Sequence, residues 1–195
     1  QAIASSLKAG AIGLAIVMVF MIVMYAVPGI AASLALAIYT TLVIATLYLF
    51  DITLTLPGIA GIILGIGMAV DANVIVFARI REEIATGKSV QTSMKIGFQK
   101  AMSAILDGNI TTLIASVVLM ALGSGTVKGF AYTLMIGIIL SLFTAMVVTR
   151  YILYSLYALG LKSEKLYGRA KERKSIDFIG KKAVFFTISG IIIAA

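Results

Sequence analysis

Residues 57–78 read PGIAGIILGIGMAVDANVIVFA, and this stretch decides the class of the molecule. An α-helix rises about 1.5 Å per residue, so about 20 apolar residues cross a hydrocarbon core of roughly 30 Å. The one charge in the stretch is Asp71. In a regular helix it sits about 21 Å beyond Pro57 and about 12 Å short of Arg79. A one-carbon stem cannot reach either interface from there. An ionised Asp in the middle of a lipid-facing helix costs about 2.5–3.5 kcal/mol even on the lenient insertion scale. Asp71 must therefore face protein or a wet cavity, or hold a proton.

Helical phase assigns the faces of this span. Ala60, Leu64, Gly67, Asp71, Ile75 and Ala78 share one face, and Gly61, Gly65, Ala69 and Ala72 form a small-residue stripe about a quarter turn away. Such stripes let helix backbones approach closely. Packing along Gly61, Gly65 and Ala69 is expected to set the helix into a bundle, with Asp71 looking inward beside the stripe. Asn73 points elsewhere, toward a bond with a neighbour. Two roles for Asp71 stay open. Low-dielectric surroundings favour a protonated carboxyl and a nearby cation favours an ionised one, so an acid alternating between the two would carry ions. The other role is a hydrogen bond between helices.

The rest of the chain agrees with lipid as the solvent. Of 195 residues, 61% are hydrophobic and 12% charged, and the mean hydropathy is +1.11. Spans are expected at about 5–27, 30–50, 57–78, 104–123 and 129–157, and a sixth begins near Ala183. The runs are continuous rather than alternating, which argues for an all-α polytopic bundle and against a barrel. Pro28-Gly29 is expected to turn the chain between the first two spans, and Pro57 to open the third. With no Cys and no His, disulfides, thiolate chemistry and imidazole bases are excluded, and no phosphate-binding glycine loop is present. No cofactor or metal is expected.

All of the 16 basic residues except Lys8 and Lys128 fall within 79–103 or 150–182. Five crossings put both stretches on one side, and the positive-inside rule makes that side cytoplasmic. The net charge of +8 thus reads as topology, not as nucleic-acid binding. Val90, Met94, Phe98, Met102 and Ile105 recur every three or four residues, which predicts an amphipathic helix on the membrane surface over about 88–103. Residues 161–182 read as a flexible basic linker. Asp107 falls near the expected start of the fourth span and reads as an N-terminal cap, with a secondary place along an ion path as the alternative. Asp51 reads as a solvated loop residue at the outer mouth. One mid-membrane acid and one near the surface do not make the proton-sharing pair of an aspartyl protease.

Several motifs in order resemble one family. Leu56-Pro57-Gly58-Ile59-Ala60-Gly61, Gly67-Met68-Ala69-Val70-Asp71-Ala72-Asn73-Val74 and Phe77 come first, then Arg79-Ile80-Arg81-Glu82-Glu83. Gly97-Phe98, Ala104-Ile105-Leu106-Asp107, Asn109-Ile110-Thr111-Thr112-Leu113-Ile114 and Val127-Lys128-Gly129-Phe130-Ala131 follow. Across about 1–160 these resemble SecD and the fused SecDF, export-assisting membrane proteins of the RND superfamily. Ile176-Asp177-Phe178-Ile179-Gly180-Lys181-Lys182, with Phe185-Phe186 and Ser189-Gly190, resembles the opening of the SecF half. Where the family often has Glu, Ala and Pro, this chain has Ala78, Gly108 and Thr126.

The resemblance implies a factor without catalytic chemistry that uses a proton or sodium gradient to draw exported, unfolded polypeptide outward. Its setting would be the bacterial cytoplasmic membrane, with the loops 79–103 and 158–182 inside. The implied partners are the SecYEG channel, a SecF half or subunit, YajC, YidC and membrane lipid. In that family the acid of the Asp-Ala-Asn motif lies on the ion pathway, which carries to Asp71, with Asn73 and Asp107 as further pathway candidates. A second acid and an Arg are expected from the SecF half. The start at Gln1 and the end inside an apolar run are expected of an internal piece of a longer chain. Two other readings remain: an RND-type transporter of lipid or small molecules, and a passive scaffold on the Sec channel.

Overall fold

The structure, a computed structural model, describes residues 2–53 and 55–168, and the described residues contain helices and no strand. They form α1 (Ala2–Tyr25), α2 (Val27–Leu49), α3 (Leu56–Ala85), α4 (Val90–Leu122), α5 (Thr126–Phe143) and α6 (Thr149–Ala158). A π turn at Thr144–Val148 joins α5 and α6 into one rod. Counting that rod once, five helices among the described residues are long and apolar enough to cross a membrane, as the hydropathy pattern requires. The expected sixth span from Ala183 and the linker beyond residue 168 lie outside the described residues.

The helix ends follow local chemistry. Thr55 caps α3 by accepting the Gly58 N–H at 3.1 Å, and Pro57 sits in the first turn, where a missing N–H costs nothing. The corner between α1 and α2 falls at Ala26, with φ 50°, two residues ahead of the expected Pro28-Gly29 turn. Pro28 instead starts α2. Gly29 is needed for proximity, since a Cβ there would lie 2.0 Å from the Met21 carbonyl oxygen of α1.

α3 is the central element and packs against α5, α4, α2 and α1. Gly61, Gly65 and Ala69 are buried, and small residues of this kind allow close approach of helix backbones. Its counterpart on α5 is Gly129, Thr133 and Gly137. A Cβ on Gly61 would lie 2.3 Å from Thr133 Oγ1, and one on Gly65 would lie 3.6 Å from the Gly137 Cα. Tyr39 of α2 fills the notch between these glycines, and its hydroxyl is buried with no hydrogen-bond partner.

Two expectations need correction. The segment over 88–103 is not a separate surface helix; it is the first half of α4, continuous with the span. Its apolar side, Val90, Met94, Phe98, Ala101 and Ile105, is buried with Val76, Phe77, Ile80 and Ile84 of α3. The amphipathic period was real, but the surface it covers is protein. Gly97 allows the approach, because a Cβ there would lie 2.9 Å from the Ile80 nitrogen. The linker also begins folded: a 3-10 turn at Glu164–Tyr167 buries Tyr167 completely. That burial pushes the Tyr167 phenol up to about 12, so it stays neutral.

One end of the bundle gathers the first basic segment and the described part of the second, up to residue 168. Arg81 near the end of α3 donates to the Met24 carbonyl of α1 at 2.6 Å and lies 4.4 Å from the Tyr25 ring centroid. Gly168 abuts the same guanidinium. The loop 85–90, the corner at Ala26 and the segment after α6 therefore meet at one end. At the other end Asp51 and Lys128 line a common cavity of about 630 Å³.

Candidate functional site

Burial of the stripe leaves the Asp71 face uncovered. Asp71, Ala60, Leu64, Gly67 and Ala78 are exposed and Ile75 is half-buried. The expected inward orientation of Asp71 is thus corrected: within this bundle the acid looks outward. The physical reason is close packing. The smallest residues take the tightest crossing, with α5, and the face about a quarter turn away is left for something else to cover.

Asp71 does not stand on a flat surface. With Met68, Ala72 and Ile75 of α3 it lines a groove of about 210 Å³ whose other wall is Ala104, Ile105, Gly108, Asn109 and Thr112 of α4. The Thr112 hydroxyl and one of the two Asn109 amide N–H groups of that wall are engaged within α4. Asn109 Nδ2 donates to the Ile105 carbonyl at 2.7 Å, and Thr112 Oγ1 donates to the Gly108 carbonyl at 3.2 Å. Both side chains keep oxygen lone pairs, and Asn109 keeps one further N–H. Together with a carboxylate, these lone pairs suit a proton or a small cation better than an anion. Gly108 leaves open space, since a Cβ there meets nothing within 4 Å.

The other two pathway candidates separate from Asp71. Asn73 is buried on the far side of the same turn, where its Oδ1 accepts from Thr149 Oγ1 at 2.8 Å and its Nδ2 donates to the Ala69 carbonyl at 3.0 Å. Asp107 is exposed in the interior of α4 and is not among the residues lining the groove. It caps nothing, because α4 begins at Val90 and is capped by Ser89, whose hydroxyl accepts the Thr92 N–H. Asp51 is an exposed corner residue with φ 52°. Among the described residues no cluster of acids is arranged to hold a metal ion.

Sequence reading passed over three features. Thr149 is an unremarkable hydroxyl in an apolar run until the fold sets it on Asn73. The α5 stripe was hidden because Thr133 interrupts its glycines. Glu83 was read only as part of a motif, yet it is buried and receives both Lys88 and Lys100.

The family model for protein export membrane protein SecD/SecF, C-terminal, matches residues 1–158. The chain belongs to the SecD/SecF protein-export membrane protein family. It is 52% identical over 152 residues to the protein translocase subunit SecD of Acidaminococcus fermentans, covering 78% of this chain and 36% of that one. Against the SecD subunit of Synechocystis the identity is 54% over 153 residues, covering 78% and 32%. The chain thus spans about a third of the length of these SecD relatives. Its fold resembles the crystal structure of SecDF, a translocon-associated membrane protein from Thermus thermophilus. The TM-score is 0.83 with 33% sequence identity, over 98% of this chain and 26% of that one. Family and helices together make it a multi-pass membrane protein.

Proposed function

We propose that this chain is the transmembrane half of a protein-export factor that spends a proton or sodium gradient to assist late-stage polypeptide movement across the bacterial cytoplasmic membrane. The observation that carries the reading is Asp71. It is an acid at mid-span, set in a groove where Asn109 and Thr112 offer oxygen lone pairs, on a helix face that its own bundle leaves uncovered. A SecF half or subunit is the cover we assign to that face, and its cationic group would favour the ionised form. The SecYEG channel, YajC and YidC complete the assembly, and the basic end lies in the cytoplasm.

Each elementary charge crossing 100 mV releases about 2.3 kcal/mol. That energy reaches a polypeptide outside the membrane only through an element with two arrangements that protonation biases. The test is Asp71→Asn in the full-length protein, reading export of a secreted reporter in cells. Export falling to the level of the deletion strain is the expected outcome. Export at the wild-type rate would favour a passive scaffold.

A further inference from the structure

The rod Thr126–Ala158 is not a uniform α-helix. Over Thr144–Val148 it widens into a π turn, closed by the Thr149 backbone N–H donating to the Thr144 carbonyl. The widened turn is held by side chains as well. Thr144 Oγ1 lies 2.9 Å from the Leu140 carbonyl and 3.1 Å from that of Ser141, and Thr144 and Ala145 are buried. Such turns insert one residue into the helical count, and they recur at functional sites.

Thr149 therefore does two things. Its backbone closes the π turn, and its hydroxyl, fully buried, reaches across to Asn73 Oδ1 at 2.8 Å. Among the described residues this is the one hydrogen bond between side chains that joins α3 to α6. Asn73 is two residues from Asp71 and lies on the opposite, protein-facing side of the same turn. The bond and the π turn share Thr149. Relaxing the turn to α geometry would rotate everything after it by about 100° relative to α5 and carry Thr149 away from Asn73. The π turn, through Thr149, thus touches the turn of α3 that holds the exposed acid.

We infer that Asn73 and Thr149 are positioning residues that couple the charge on Asp71 to the register of the π turn. An uncharged Asp71 settles against apolar surface and an ionised one turns toward water or a cation. Either movement is a small rotation of α3, and Asn73 is where α6 is gripped by it. The inference rests on the ion-carrier reading of Asp71 and adds the route by which a change of charge leaves α3.

This chain has no cysteine, so one introduced label reports cleanly within it. Tyr151, 71% exposed on α6 just past the π turn, is the place for a spin label in the full-length protein, introduced as Tyr151→Cys. Spectra are compared with and without Asp71→Asn, in the parent, in Thr149→Val and in Thr149→Ser. Asp71→Asn is expected to change the mobility of the label in the parent and in Thr149→Ser, which keeps the hydroxyl. In Thr149→Val, which keeps the shape, the change is expected to vanish, and ion-coupled export to fall by about fivefold or more. An undiminished response in Thr149→Val overturns the coupling. If Asp71→Asn abolishes ion flux while Thr149→Val leaves both flux and export intact, the coupling fails and the carrier reading stands. Flux that survives Asp71→Asn removes the carrier reading, and the coupling with it.

Discussion

Lys100 of α4 donates to the Glu83 carboxylate of α3 at 2.6 Å, while Lys88 engages the other oxygen of the same group. Glu83 is 4% exposed, so one buried acid pins the hairpin from both sides. The lysine side chains are 41% and 57% exposed, so replacing the acid lets them turn to water and releases the clamp between the loop and α4. Glu83→Gln is expected to speed amide hydrogen exchange across 83–92, and Glu83→Ala more so. Lys100→Met should be milder, because Lys88 remains. Exchange unchanged in all three would contradict this role.

The packing of α2, α3 and α5 gives a sharper, non-additive expectation. Gly65→Ala drives a Cβ to 2.3 Å from the Tyr39 hydroxyl, and overpacking of this kind costs about 1–3 kcal/mol. Tyr39→Phe removes a buried hydroxyl that has no hydrogen-bond partner, so it should be neutral or stabilising. The double variant should recover most of the loss, which marks the two sites as coupled. Gly13→Ala, where a Cβ meets nothing within 4 Å, should stay within about 0.5 kcal/mol of the parent. Thermal unfolding in detergent reads all four.

Arg81 caps the carbonyl end of α1 at Met24 while lying over the Tyr25 ring. A cation at a helix C-terminus and a cation–π contact each contribute up to about 1 kcal/mol at half-buried sites. Arg81→Lys keeps the charge but loses the planar fork that serves both contacts. Both Arg81→Lys and Arg81→Met should loosen the corner at Ala26, seen as faster proteolysis there. Equal protection in Arg81→Lys would show that charge alone holds the corner.

Much of this fold is legible in the sequence because lipid removes alternatives. Continuous apolar runs must be helices, and Lys and Arg placement orders their ends, so the five spans and the shared basic end follow from composition and charge. What escaped is set by partners distant in sequence. Periodicity shows that Val90, Met94 and Phe98 share a face but not whether lipid or Ile80 covers it. The orientation of Asp71 failed because helical phase fixes angles only within α3. Which face becomes interior depends on the crossing with α5, decided by Gly137 and Thr133. Asp107 was placed at a helix start because hydropathy locates spans, whereas the helix itself runs back to Ser89. The bond from Thr149 to Asn73 bridges 76 residues, and no local pattern announces it.

The central claim is that Asp71 carries the coupling ion. The most direct measurement is ion flux through the full-length protein reconstituted in vesicles, with an inward gradient of protons or of sodium, for the parent, Asp71→Glu and Asp71→Asn. Flux of one of the two ions is expected in the parent, with a trace in Asp71→Glu, which keeps the charge on a longer stem, and none in Asp71→Asn. Parent-level flux in Asp71→Asn would contradict the claim.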